Sequence, residues 1–369
     1  MDEVANDLRI HSVETLGDVA LRTTSGSIID ARNDDLANII GLTVDLDANG
    51  GSIGEAGDDL EIDSRAGLGQ EVSLEANTDD VALEAETSIW LTETDGELRL
   101  ALAHAYLGNI TLTVREAAGA TSTGEDLQLI RSGDARFAES DDVLPGTHDD
   151  APRPLPHGLI LAEAGEVTLN VGDDVDVHEN AAIVAAGAID LFADHTDNDA
   201  GFGATVVLRG QIIAGAIMVV GGNRAPSTPS GTTRVAPIGT WRPDDSTTDT
   251  TAADRTTRIF GNTDVDTIQF GDESGVAGGT QWGDDGYIYL GSRTRAFGSA
   301  DATATTGDDG EDRFRIYYLQ DMAAETAPAI SAIGFATEGY DSQTGGNAYA
   351  TTLDVGAQHT LTLDGQADT

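Results

Sequence analysis

Cysteine is absent from all 369 residues, and so is lysine: every one of the 19 basic residues is arginine. Without thiols the chain has no disulfide framework, no thiol nucleophile and no thiolate metal site. Aromatic residues make up only 5 %, so a core has to be built from Val, Ile, Leu and Ala. No apolar run reaches the roughly 18 residues that a membrane-crossing helix needs, and we expect no membrane insertion. The start, "MDEVANDLRI", lacks the basic and apolar regions of a signal peptide. The end, "HTLTLDGQADT", stops in what reads as strand and turn, so we expect a piece of a longer protein.

What the chain has in abundance is acid. Its 65 Asp and Glu against 19 Arg give a formal net charge of −46. Such a surface repels nucleic acid and anionic membrane, because no counterions are released from phosphate on contact. It attracts divalent cations and stays soluble in high salt, which suits salt adaptation and calcium binding equally.

Short alternating apolar pairs and triplets run along the chain, separated by Gly, Asp and Asn. They are Val19/Leu21, Leu42/Val44/Leu46, Leu60/Ile62, Val72/Leu74, Val81/Leu83, Ile89/Leu91, Leu98/Leu100 and Ile110/Leu112/Val114. The triplet Gly-Ser-Ile stands at 26–28 and again at 51–53, with Ser-Ile at 88–89. Period-2 strands every 8 to 12 residues or so mean an all-β chain, and no window has the spacing of a long amphipathic helix. From Leu159 the strands follow one another closely, in "GEVTLNVGDDVDVHENAAIVAAGAIDLFAD" and "GATVVLRGQIIAGAIMVVGG". Strands this short and irregularly spaced favour a right-handed parallel β-helix over a β-sandwich, whose strands are longer and joined by hairpin turns. The expected division is β-helix repeats over 1–133, a Pro-rich insertion over 134–158 and repeats again over 159–222. A Pro/Ser/Thr-rich insertion over 223–257 follows, then a β-helix with degenerate Gly/Asp repeats over 258–369. Insertions are the segments freest to carry function.

The stretches "GDVALRTTSGSIID", "VDLDANGGSIGEAGDDLEI" and "NAAIVAAGAIDLFADH" resemble repeats of filamentous-haemagglutinin-like bacterial surface proteins. The segment from "RIFGNTDVDTIQFGD" to "LTLDGQADT" resembles the hemolysin-type repeat regions of very large secreted bacterial proteins. The resemblance implies a right-handed parallel β-helix, export to the cell surface, and an adhesive or structural role.

A hemolysin-type calcium repeat reads Gly-Gly-x-Gly-x-Asp-x-aliphatic-x, and stacked turns share the ions between them. With Asp266 in the aspartate place, Gly261 and Ile268 fit, while Asn262 and Asp264 replace glycines. "GDDGEDRFR" is closer: Gly307, Gly310, Asp312 and Phe314 fit, and Asp308 replaces a glycine. Asp266 and Asp312 lie 46 positions apart (312 − 266), whereas stacked turns of this kind recur about every 18 residues. Turns without a tandem run of sites are therefore expected. Ca2+ is the one cofactor to consider, with Asp264, Asp266 and Asp272, or Asp308, Asp309 and Asp312, as its ligands.

A polysaccharide lyase or hydrolase on such a scaffold needs grouped carboxylates and a base. "GDDVDVHEN", with Asp173, Asp174, Asp176 and His178, is the nearest approach, and Asp174 and Asp176 would share a strand face. Acidic pairs such as Asp34-Asp35, Asp58-Asp59, Asp79-Asp80 and Asp141-Asp142 recur throughout, so clusters arise by chance and no enzyme is expected. There is no HExxH or P-loop pattern. Trp241, in the second insertion, and Trp282, in "GGTQWGDDG", are the candidates for stacking on sugar rings.

The expected protein is a structural or adhesive segment of a giant extracellular, cell-surface protein. Its expected partners are neighbouring copies or adjacent domains of that protein and surface glycans, with no nucleic acid among them. The alternatives are a calcium-dependent glycan-binding module and a secreted polysaccharide lyase or hydrolase.

Overall fold

A computed structural model describes residues 6–64, 81–116, 124–129, 158–178, 181–196 and 204–214. It also gives the backbone of Asp2–Glu3 and of the strands beyond Ala214. Among the described residues there is no helix, as the missing 3.6-residue period leads one to expect. In chain order the strands begin with β1 (Asp2–Glu3), β2 (Leu8–Ile10), β3 (Val13–Glu14), β4 (Val19–Thr23), β5 (Ile28–Asp30) and β6 (Ile39–Ile40). They continue with β7 (Val44–Ala48), β8 (Leu60–Asp63), β9 (Val81–Ala85), β10 (Ile89–Glu93), β11 (Leu98–Ala105) and β12 (Ile110–Val114). Next come β13 (Leu127–Leu129), β14 (Leu159–Ala162), β15 (Val167–Val171), β16 (Val175–Val177), β17 (Ala182–Ala185) and β18 (Ile189–Phe192). Then follow β19 (Thr205–Leu208), β20 (Gln211–Ile213), β21 (Ala216–Val219), β22 (Thr240–Pro243), β23 (Thr256–Phe260) and β24 (Thr267–Phe270). The last are β25 (Ile288–Tyr289), β26 (Arg293–Phe297), β27 (Arg313–Ile316), β28 (Leu319–Gln320), β29 (Ala350–Asp354) and β30 (Thr360–Asp364).

The chain visits two large sheets in turn, and each visit lays a strand parallel to the one laid before. One sheet runs β1-β4-β7-β9-β11-β13-β16-β19-β24-β27, and the other β3-β6-β8-β10-β12-β15-β18-β23-β26-β30-β29. Only β29, at the edge of the second sheet, is antiparallel to its neighbour there. Identical faces therefore stack. Leu60, Leu91, Leu112, Leu169, Leu191 and Ile259 form one row across the second sheet, and each is at most 1 % exposed. Leu21, Leu46, Leu83, Ala103, Ile160, Ile183 and Ile212 form its counterpart in the first. Period-2 alternation puts these residues on one side of each strand and polar residues on the other. The inward rows make one contiguous aliphatic core, so few aromatics are needed.

Two features depart from plain alternation. Ile28, Ile53 and Ile89 bridge in parallel, so a short third line of pairing, begun by β2 and β5, merges into β10. Beside Ile53, Gly54 has φ +69°, and a Cβ there would lie 2.1 Å from the carbonyl oxygen of Trp90. The second feature is a fork. β11 pairs with β9 on one side, while on the other its first half pairs with β13 and its second half with β14. From there β14, β17 and β20 extend a branch of their own. The outward side chains of β14 and β17, Leu159, Leu161, Ala182 and Val184, are fully buried, so these two strands are apolar on both faces. Within the Pro/Ser/Thr-rich segment 223–257, expected as a loop, Thr240–Pro243 is a strand antiparallel to Ala216–Val219.

Candidate functional site

Where one strand gives way to the next, a backbone N–H is accepted by a side chain from the preceding visit. Asp7 Oδ1 accepts from Ser27 at 3.0 Å, Ser27 Oγ from Ser52 at 3.0 Å, Ser88 Oγ from Asn109 at 3.0 Å, and Asn109 Oδ1 from Glu166 at 3.0 Å. Elsewhere Asn38 Oδ1 accepts from Glu61 at 3.0 Å, Asp126 Oδ1 from Asp174 at 3.2 Å, and Asp174 Oδ1 from Thr205 at 2.6 Å. Turns leave donors that the sheet ladders cannot satisfy. Short side chains with an acceptor oxygen meet that need, and Asp7, Asp126 and Asp174 are acids placed in turns for this structural reason.

The strongest sequence constellation belongs to this set in part. Asp173 Oδ2 accepts from Gly124 and Glu125 at 3.0 and 3.2 Å, and Asp174 is bound to Thr205. Asp176 lies on the outward face of β16 between the inward Val175 and Val177. Both its oxygens are bonded by Arg209, and His178 Nε2 lies 3.9 Å from Oδ2. Asp176, His178 and an arginine thus meet, while Asp174 turns to the backbone. Beside them burial pushes Asp126 up to about 7, with the charges of Asp174, Asp173 and Glu97 adding to the rise. Burial raises Asp174 as well. This face holds protons above the usual carboxylate range and pairs one acid with a cation.

A second outward row, Arg22–Asp47–Glu84–His104, crosses β4, β7, β9 and β11 in register. Arg22 Nε lies 3.5 Å from Asp47 Oδ2. His104 has a carboxylate at each ring nitrogen: Glu163 Oε1 at 3.0 Å from Nε2 and Glu84 Oε1 at 3.6 Å from Nδ1. Burial opposes charge on His104, but the two glutamates outweigh it and raise it to about 9.

Two further glutamates are buried. Glu93 points inward in line with Ile62, Val114 and Val171. It accepts from Ser64 Oγ at 2.7 Å and from the N–H groups of Ser64 and Thr94. Burial pushes it up to about 8. Glu61, 5 % exposed, has an Oε2 without a hydrogen-bond partner, and burial followed by the nearby charge of Asp30 pushes it up to about 7. Apart from the bond of Glu93 to its neighbour Thr94, these partnerships are not legible in the sequence, since each joins residues 20 or more positions apart or rests on burial.

The expected calcium ligands Asp264, Asp266, Asp272, Asp308, Asp309 and Asp312 lie outside the described residues, as does Trp282. Trp241 stands on β22 opposite Met218 of β21. Among the described residues no three His, Asp or Glu side chains gather to hold a metal ion, and no helix is long and apolar enough to cross a membrane. Comparison with known proteins gives no match: no family model, no curated protein and no solved structure is similar to the chain.

Proposed function

We propose that the chain is a structural and adhesive segment of a large extracellular surface protein, folded as a right-handed parallel β-helix. The observation that carries this reading is the registered stacking of like residues: the row from Leu60 to Ile259 crosses six strands of one sheet in a single line. A chain that alternates between two sheets, adding each strand in parallel until the edge strand β29, buries a narrow continuous core and grows in one direction. Its acidic side chains serve the turns and leave a heavily hydrated exterior, which suits a load-bearing spacer between neighbouring domains or copies. The hemolysin-like segment from Arg258 to Thr369 extends the same rod in this reading, with any bound Ca2+ confined to it.

Small-angle scattering with negative-stain microscopy tests the proposal. A rod with a constant cross-section near that of two packed sheets, about 20–25 Å from the sheet spacing plus side chains, is expected. A compact particle would overturn it. The meeting of Asp176, His178 and Arg209 favours a second reading, a secreted glycan-active protein. Incubation with acidic polysaccharides, followed by assay for new reducing ends and unsaturated products, separates the two readings: either product would establish the second.

A further inference from the structure

His104 sits where β11 forks, with Glu84 on β9 at one ring nitrogen and Glu163, just past β14, at the other. Side-chain exposure is 5 % for His104, 12 % for Glu84 and 15 % for Glu163. A neutral imidazole has one N–H and one lone pair, so it would turn a lone pair toward one of the two carboxylates. Only the imidazolium offers a donor to both.

On β7, Asp47 follows Glu84 in the row and is matched by Arg22 of β4. On the branch side, the residues in register with His104 are Leu161 of β14 and Val184 of β17, both uncharged and buried. On β11 itself the ring edge of Tyr106 is in contact, with centroids 6.4 Å apart. His104 is therefore a cation shared by both glutamates.

We propose that His104 is a proton-operated latch, which closes β14 onto β11 while charged and loosens the branch at the fork when its proton leaves. Loss of the proton places two mostly buried carboxylates on either side of a neutral ring, and that repulsion falls on β14, whose exit is held by the Glu163 N–H to Ala105 carbonyl bond of 2.9 Å. Because the glutamates hold the imidazolium up to about 9, the latch is closed at neutral pH and opens in alkali. The device is independent of the mechanical role proposed above.

Amide hydrogen exchange between pH 7 and 10, corrected for intrinsic rates, tests the latch on peptides covering 159–163, with 167–171 of β15 as the internal reference. The expected result is a fall of about tenfold or more in the protection of 159–163 relative to the reference, one decade being one unit of proton affinity, centred near pH 9. His104→Gln should show low protection of 159–163 at every pH with no step. A step that persists in His104→Gln, equal loss in both peptides, or no step in the unaltered chain would overturn the proposal. If His104→Gln does not fold, histidine NMR of the unaltered chain decides. A midpoint for His104 well above that of free histidine, lowered in Glu163→Gln, supports the latch, and a midpoint at or below about 6.5 rules it out.

Discussion

Ser88 Oγ accepts the backbone N–H of Asn109 at 3.0 Å, and the side chain of Asn109 passes the same service on to Glu166. Each link satisfies one donor that a turn leaves outside the sheet. Ser88→Ala and Asn109→Ala should each lower stability by about 1 kcal/mol, the usual worth of one hydrogen bond. A shift of the urea midpoint with an unchanged slope would show it.

Gly54 and Gly57 both have positive φ, +69° and +81°, but they differ in surroundings. A Cβ on Gly54 meets the carbonyl oxygen of Trp90 at 2.1 Å, whereas a Cβ on Gly57 meets nothing within 4 Å. Gly57→Ala should cost about 1–2 kcal/mol for the left-handed backbone alone. Gly54→Ala adds a backbone clash and should cost on the order of 3 kcal/mol or more. Equal effects in thermal denaturation would contradict this account.

Stability should fall as the solution turns alkaline. Glu93 rises from 4.5 in the unfolded chain to about 8 in the fold, so its contribution is complete below pH 4.5 and is lost as pH rises through 8. Glu61 and Asp126, each about 7, act in the same direction. His104 contributes fully below 6.5 and loses its contribution through about 9. Glu93→Gln reproduces the shape of the protonated acid without its titration. It should match the unaltered chain at pH 4 and melt higher than it at pH 9.

With 65 acids and 19 arginines, self-repulsion opposes compaction. Raising NaCl from about 0.01 M to about 0.5 M shortens the screening length several-fold and should raise the melting temperature. Calcium chloride at matched ionic strength should add only a small further rise. An increase above about 15 °C, the scale of a tightly bound folding ligand, would mean specific calcium sites instead.

The inward rows were legible in the sequence because period-2 alternation is a local signal. Val19/Leu21, Leu60/Ile62, Val81/Leu83, Ile89/Leu91 and Ile110/Leu112/Val114 all lie in the core. The recurrence of Gly-Ser-Ile carried more than it showed: Ser27 and Ser52 form links in the side-chain chain, and Ile28 and Ile53 bridge in register. The fork could not be read in advance. "LRLALAHA" looks like one alternating strand, and its second partner arrives only after the Pro-rich segment 134–158. Continuous apolar runs such as "LILA" and "AAIVA" were the available signal, since strands buried on both faces lose their alternation. The constellation at Asp173 to His178 was recognisable by residue type. Its Arg209 partner and the backbone bonds of Asp173 and Asp174 depend on neighbours 31 to 49 positions away.

β11 holds on to three other strands, where most strands of the two large sheets hold on to two. In a stack whose neighbours join mainly to neighbours, tension at one end removes strands singly, each freeing the next. At β11 that sequence meets a strand that cannot leave without releasing β9, β13 and β14 together. Strand-by-strand release should therefore pause at the fork, where three pairings have to break at once.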